Sequence, residues 1–131
     1  MSSPVPVVPA PEPLRVLVVD DNASLLRFLV SAFSANGCTV SQAAAAEQAL
    51  ALITAEPFDL VVSDIKMPGL SGPKLWERLL AARSPMVNRI AFVTGDTVDP
   101  DTQRFLEETR RPVLTKPFEL VDLASLLTPG P

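Results

Sequence analysis

The 131-residue chain has no histidine and no tyrosine, one cysteine, one tryptophan and five glycines. The missing histidine excludes the most. Without an imidazole there is no Ser-His-Asp or Cys-His relay, no histidine-ligated metal and no phosphohistidine formed on this chain. Any metal it holds is a hard cation on oxygen ligands. The lone Cys38 excludes an internal disulfide framework and fits a reducing compartment. It falls in an expected strand, where a buried thiol is the expected state rather than a reactive one. Cations are scarce as well: 11 Lys and Arg against 15 Asp and Glu leave a net charge of −4 and a pI near 4.7. A surface that coats nucleic acid needs clustered Lys and Arg, so direct nucleic-acid binding is not expected. No apolar run approaches the ~20 residues of a membrane span. The N-terminus also lacks the basic-then-apolar pattern of a secretory signal. The expectation is a soluble, cytoplasmic protein with no membrane insertion.

What is present is enough for one compact domain. Apolar residues make up 47% of the chain, and a length of this order buries one sizeable core. Pro4, Pro6, Pro9, Pro11 and Pro13 mark residues 1–13 as an extended, polyproline-like tail. A linker is the preferred reading over an SH3-type ligand, because no basic flank accompanies the prolines. Residues 14–127 form the expected domain, and residues 128–131 a C-terminal tail.

Inside that domain, strand and helix signals alternate. Residues 14–19 read as a first strand, apolar on both faces as a central parallel strand should be. Asp21 or Asn22 can cap the helix that follows, whose Leu25, Leu26, Phe28, Leu29, Ala32 and Phe33 form a wide apolar stripe. Asn36-Gly37 closes it. Residues 38–42 make a second, less apolar strand at an edge, and residues 44–55 a second helix with Ala46, Leu50 and Ile53 on one side. After the strand of residues 60–62, Ser71-Gly72-Pro73 opens a third helix through Leu75, Trp76, Leu79 and Leu80, broken at Ser84-Pro85. Residues 89–93 are the fourth strand. Asp99-Pro100 caps a fourth helix anchored by Phe105 and Leu106 alone, which makes it the loosest element expected. Residues 112–114 are the fifth strand, and the last helix places Leu120, Leu123, Ala124 and Leu127 on one face. Five such alternations with short loops define an α/β fold, a parallel sheet with right-handed crossovers and helices on both faces.

The chemistry collects at one edge. All strand C-termini of such a sheet point the same way, and ligands bind there beside a topological switch point. The first strand delivers Asp20 and Asp21, the third Asp64, the fourth Thr94 and the fifth Lys116. Asp64 ends a short buried run, and Met67-Pro68-Gly69 halts regular structure just after it. Three carboxylates converging with one ammonium are unfavourable unless a cation joins them. A hard divalent ion on the carboxylate oxygens, with Lys116 opposite, resolves the repulsion and leaves room for a tetrahedral anion.

Asp20-Asp21 after an apolar strand, Asp64-Ile65-Lys66-Met67-Pro68-Gly69, Val93-Thr94-Gly95 and Thr115-Lys116-Pro117-Phe118 resemble the receiver domain of two-component response regulators. The resemblance covers roughly residues 14–127 and implies the flavodoxin-like sheet order 2-1-3-4-5. It implies that Asp64 is a phosphoacceptor charged from a phosphohistidine on a histidine kinase or histidine phosphotransfer protein. Mg²⁺ would be held by Asp21, Asp64 and the Lys66 backbone carbonyl, with Asp20 acting through water. Lys116 and the Thr94 hydroxyl would contact phosphoryl oxygens, and the Lys116-Pro117 peptide would be cis. Phosphorylation would shift the region from the fourth strand to the fourth helix and so alter partner binding. On this reading the domain is a signalling module that catalyses only its own phosphorylation and dephosphorylation.

Three positions depart from the pattern or tune it. Val113 stands where many receivers carry an aromatic three residues before the lysine, which puts the usual pairing of Thr94 with that ring in question. Lys66 and Asp96 flank the expected path of hydrolytic water and are read as setting the dephosphorylation rate. The alternative function is a receiver-like interaction module that is not phosphorylated. An aspartyl-phosphate phosphatase of another α/β family would need a second Asp two residues after the first, and Lys66 occupies that position. No output domain is expected after the last helix, so the chain reads as a stand-alone regulator or as a receiver from a hybrid sensor kinase. The downstream target is unspecified and a homodimer is left open.

Overall fold

The computed structural model describes residues 13–67, 69–95 and 99–127. All but Pro13 of the tail expected at residues 1–13, the tail at residues 128–131, Pro68 and Asp96 lie outside the described residues. The elements run β1 (Arg15–Val19), α1 (Ala23–Ala35), β2 (Thr39–Ala43), α2 (Ala46–Ala55), β3 (Leu60–Asp64), α3 (Gly72–Ala81), β4 (Ile90–Thr94), α4 (Pro100–Thr109), β5 (Val113–Thr115) and α5 (Leu120–Ser125), with a 3₁₀ turn at Pro85–Asn88. The five strands pair in parallel in the order β2-β1-β3-β4-β5. That is the expected α/β architecture, and it puts the switch point between β1 and β3, where the order reverses.

Alternation along the central strands divides the core in two. Leu17, Val19, Val61, Ile90 and Phe92 face Ala46, Ala49, Leu75 and Leu79 on one side. Val16, Val18, Val62, Val93 and Leu114 face Leu26, Leu29, Phe33 and Leu123 on the other. β1, β3 and β4 are almost wholly buried and β2 is half-exposed. This is why the central strands read as continuous apolar runs and the edge strand does not. The core side chains supply the main stabilisation, at roughly 1.5–3 kcal/mol for each large residue buried.

Local chemistry accounts for several boundaries. The Asn22 side chain accepts from the Leu25 amide at 3.1 Å and so caps α1. Gly37, at φ +84°, follows the α1 C-cap Asn36 in the left-handed region. α2 begins at Ala46, two residues later than expected, because the Gln48 side chain accepts from the Ala44 amide and holds it outside the helix. The Ser84-Pro85 break becomes an ordered turn, in which Ser84 Oγ accepts from the Met86 amide and Met86 is buried. Cys38 lies one residue before β2, half-buried, and burial raises its thiol pKa. Leu120 does not join the inward face of α5: it is 58% exposed and Val121 is 68% exposed, whereas Leu123 is buried. Phe118, from the turn before the helix, packs on Phe28 of α1 at 6.1 Å between ring centroids. No residue of α4 is buried. Phe105 and Leu106 pack it on the core, and the Phe105 ring meets Phe92 at 5.3 Å and Trp76 at 5.8 Å, both edge to face.

Candidate functional site

β1 and β3 lie side by side, so the residues at their carboxyl ends are neighbours. Asp20, just past β1, is only 1% exposed. Its amide donates to Ala43 at the end of β2, at 3.1 Å. Its Oδ1 accepts from the Asn22 amide at 2.8 Å, so the α1 cap and the acidic site share one turn. Asp20 Oδ2 is buried with no hydrogen-bond partner among the described residues. Asp21 is exposed. Asp64, the last residue of β3, is half-buried; its Oδ1 accepts from the Lys66 amide at 3.3 Å. One oxygen from each of Asp20, Asp21 and Asp64 falls within 4.8 Å of the other two.

The opposite wall comes from β4 and β5. Lys116 Nζ stands 3.9 Å from Asp64 Oδ2. The Lys116 amide donates to the Thr94 carbonyl at 2.8 Å, which extends the β4-β5 ladder beyond the strand end. The Lys116-Pro117 peptide is cis. Thr94 is 5% exposed, and its hydroxyl makes only a 3.5 Å contact to the Gly95 carbonyl. Such a contact is at the limit for a hydroxyl donor. Asp20, Asp21, Asp64, Thr94 and Lys116 are therefore gathered at one edge, as expected from the sequence.

Charge and burial oppose each other here. Burial raises the Asp64 pKa above its ordinary value, and Asp21 adds to the rise, while Lys116 and the Lys66 amide act against it. Burial likewise raises Asp20, opposed by the Asn22 amide and Lys116 and reinforced by Asp64 and Asp21. The Asp64–Lys116 pair would by itself depress the Asp64 pKa, but at 3.9 Å it is long and burial prevails. Three carboxylates, one buried with a bare oxygen, one half-buried and one exposed, form a donor set suited to a hard divalent cation.

Val113 opens β5, 36% exposed, and pairs with Phe92 in the register. Alternation puts it on the α4 side of the sheet with Phe92 and Thr94. Lys66 is exposed, and Asp99 is the N-cap of α4. Both line a cleft of about 370 Å³, together with Ile65, Met67, Ser71, Pro73 and Thr102. Hydrogen bonds from the Thr102 amide and hydroxyl lower the Asp99 pKa, and Lys66 lowers it further. The sequence marked Asp99 only as a cap. Ser63, whose hydroxyl donates to the Asp64 carbonyl, and Gly72, whose amide donates to the Ile65 carbonyl, were not singled out beside the acidic site. A glycine inside a first helical turn, where alanine is more favourable by ~1 kcal/mol, was the available signal.

Residues 16–128 match the sequence profile of the response regulator receiver domain, nearly the whole chain. The protein belongs to the response regulator receiver family. It is 32% identical over 114 residues to the response regulator receiver protein CpdR of Brucella abortus (strain 2308), covering 85% of this chain and 91% of that one. It is 32% identical over 105 residues to the C4-dicarboxylate transport transcriptional regulatory protein DctD of Rhizobium meliloti (strain 1021). That match covers 79% of this chain but only 22% of DctD, so the chain corresponds to a small part of that regulator. Among solved structures, chemotaxis protein CheY4 of Vibrio cholerae superposes with a TM-score of 0.77 at 24% identity, covering 88% of this chain and 96% of that one. Receiver domains are signalling modules of two-component systems and work with histidine kinases or phosphotransfer proteins. Among the described residues, no helix is long and apolar enough to cross a membrane.

Proposed function

We propose that this domain, spanning residues 14–127, accepts a phosphoryl group on Asp64 from a phosphohistidine of a histidine kinase or histidine phosphotransfer protein. The observation that carries this reading is the convergence of three carboxylates within 4.8 Å, with Lys116 3.9 Å from Asp64. A carboxylate is a weak nucleophile, so the protein's contribution is position and charge neutralisation. Asp64 Oδ1 is anchored by the Lys66 amide, and Oδ2 faces Lys116. An Asp64 oxygen forms the bond to phosphorus as the P–N bond of the donor breaks. Lys116 is close enough to pair with a phosphoryl oxygen, and the weakly engaged Thr94 hydroxyl is available to donate to another. Asp21, Asp64 and the Lys66 carbonyl would hold Mg²⁺, with Asp20 acting through water; the bare Asp20 Oδ2 supports that assignment. When bound, Mg²⁺ supplies neutralisation of the charge that develops on the phosphoryl oxygens.

The readout is a population shift in the β4-α4 region that alters binding of a downstream protein. Thr94 drawn toward the phosphoryl group moves the loop ahead of α4, whose lack of buried residues suits it to moving. Because position 113 is valine, output passes through that loop and α4 rather than through an aromatic at β5. Metal-free and beryllium fluoride-bound structures with the same main chain over residues 94–109 would overturn this route. Lys66, together with Asp96, slows hydrolysis of the phospho-Asp64 bond.

Incubation with phosphoramidate and Mg²⁺, followed by intact mass measurement, tests the central reading. The wild type gains one phosphoryl mass that Asp64→Asn does not. Failure of the folded wild type to gain it overturns the reading and favours a non-phosphorylated interaction module.

A further inference from the structure

Gly72 opens α3 and is buried against the end of the acceptor strand. Its amide donates to the Ile65 carbonyl at 3.0 Å, which closes the loop between them. Ile65 donates its own amide to Val93 of β4 at 2.9 Å, so this peptide is tied on both sides. The Asp64 carbonyl is held as well, accepting from the Ser63 hydroxyl at 3.0 Å. A Cβ built on Gly72 would lie 2.7 Å from that same Asp64 carbonyl oxygen, 3.1 Å from Ile65 Cα and 3.3 Å from Phe92 Cδ1. The two nearest atoms are backbone, so neither can swing aside as the end of a flexible side chain would. Gly72 is not in the left-handed region. Its requirement is space rather than conformation.

We infer that Gly72, with Ser63, is a positioning residue for the acceptor: the missing side chain lets α3 seat directly on the Asp64–Ile65 main chain and so fixes the Asp64 carboxylate and Lys66 against Asp20, Asp21 and Lys116. The inference rests on the phosphoacceptor reading. Any larger residue at 72 pushes α3 and the tip of β3 apart by a few tenths of an ångström or more. The carboxylate hangs from that tip, and the Lys66 amide bonded to it lies one residue beyond Ile65. Displacements well below the size of an atom matter to a reaction whose rate depends on position.

The test compares Gly72→Ala with Phe33→Leu, a substitution in the core across the sheet, at a temperature where both are folded by circular dichroism. In the labelling reaction an Asp64 oxygen bonds to phosphorus as the P–N bond of phosphoramidate breaks and the already protonated nitrogen leaves as ammonia. Gly72→Ala is expected to label about tenfold more slowly or worse, and Phe33→Leu at the wild-type rate. The Lys66 amide resonance should move in Gly72→Ala and stay in place in Phe33→Leu. Wild-type labelling by Gly72→Ala, or equal slowing in Phe33→Leu, overturns the inference. If Gly72→Ala does not fold, Ser63→Ala removes the hydrogen bond that holds the neighbouring Asp64 carbonyl. It should then slow labelling several-fold, and an unchanged rate overturns the inference. If the wild type itself takes up no phosphoryl group, the functional reading fails separately. The Lys66 resonance then decides the positioning role on its own, in Gly72→Ala or, where that variant does not fold, in Ser63→Ala.

Discussion

Replacing Phe105 with alanine removes the main anchor of α4 and should release that helix before the rest of the domain unfolds. Truncating a fully buried Phe costs about 3–5 kcal/mol. Phe105 is only partly buried, which lowers the packing loss. It makes two edge-to-face pairs, with Phe92 at 5.3 Å and Trp76 at 5.8 Å, each worth ~0.5–1.5 kcal/mol beyond area. A combined loss of ~2–3 kcal/mol follows, which shifts the opening equilibrium of α4 by roughly 30- to 140-fold. Since α4 buries no residue of its own, that loss is a large share of what holds it. Once the helix is open its contacts are already gone, so the drop in global stability stops at the free energy of opening α4. Native-state hydrogen exchange reads this directly. Amides at the C-terminal end of α4, such as that of its C-cap Arg110 bonded to the Leu106 carbonyl, should lose most of their protection with little denaturant dependence. Amides of β1 and β3 should keep a steep dependence. Emission from Trp76, the single tryptophan, should change without denaturant as its Phe105 contact is lost. Parallel loss of protection in α4 and β3, with the same denaturant slope, would refute the reasoning, because α4 would then belong to the main cooperative unit.

Asp20→Asn should raise the melting temperature of the metal-free protein at neutral pH, since the folded-state pKa of Asp20 is raised above its ordinary 3.8. In that direction the native state binds more protons than the unfolded chain, so this group's contribution to wild-type stability falls as pH rises above 3.8. The advantage of the variant should therefore shrink as pH is lowered toward that value, and a lower melting temperature than wild type at pH ~7 would contradict the sign. Mg²⁺ should raise the wild-type melting temperature by mass action and raise that of Asp20→Asn less, as followed by thermal scans over a magnesium series. Lys66→Ala should shorten the lifetime of the phosphorylated form after removal of the donor; an unchanged decay would remove Lys66 from that role. Asn22→Ala deletes the α1 cap on the Leu25 amide and should destabilise by ~1 kcal/mol, read as a fall of about 4 °C.

Much of this was legible because hydrophobic pattern and charge position agree. β1, β3 and β4 are apolar on both faces, so each could be read as a central parallel strand. The polar residues at their tips stood out against those runs. Other features depend on distances that no local pattern carries. Asp20 and Asp21 are adjacent and chemically identical in sequence, yet one is 1% exposed with a bare oxygen and the other is exposed. The fold separates them because the Asp20 main chain is tied to Ala43 on the edge strand. Helical spacing put Leu120 on the inward face of α5, but as the first residue of a six-residue helix it stays 58% exposed. Lys66 also shares a cleft with Asp99, which its place in the sequence marked only as a helix cap. The role of Gly72 rests on a 2.7 Å approach to a strand 8 residues earlier in the chain, and spacing alone gives no hint of it.

Phe92 lies mid-strand with one edge close to Gly72 and its ring against Phe105. The proposed acceptor's seat and the helix proposed to carry output thus share a single wall. Aromatic bulk at 92 sets the play on both sides of it. Leucine there would slacken the two together, and tuning one without the other calls for changes at 72 or 105 instead.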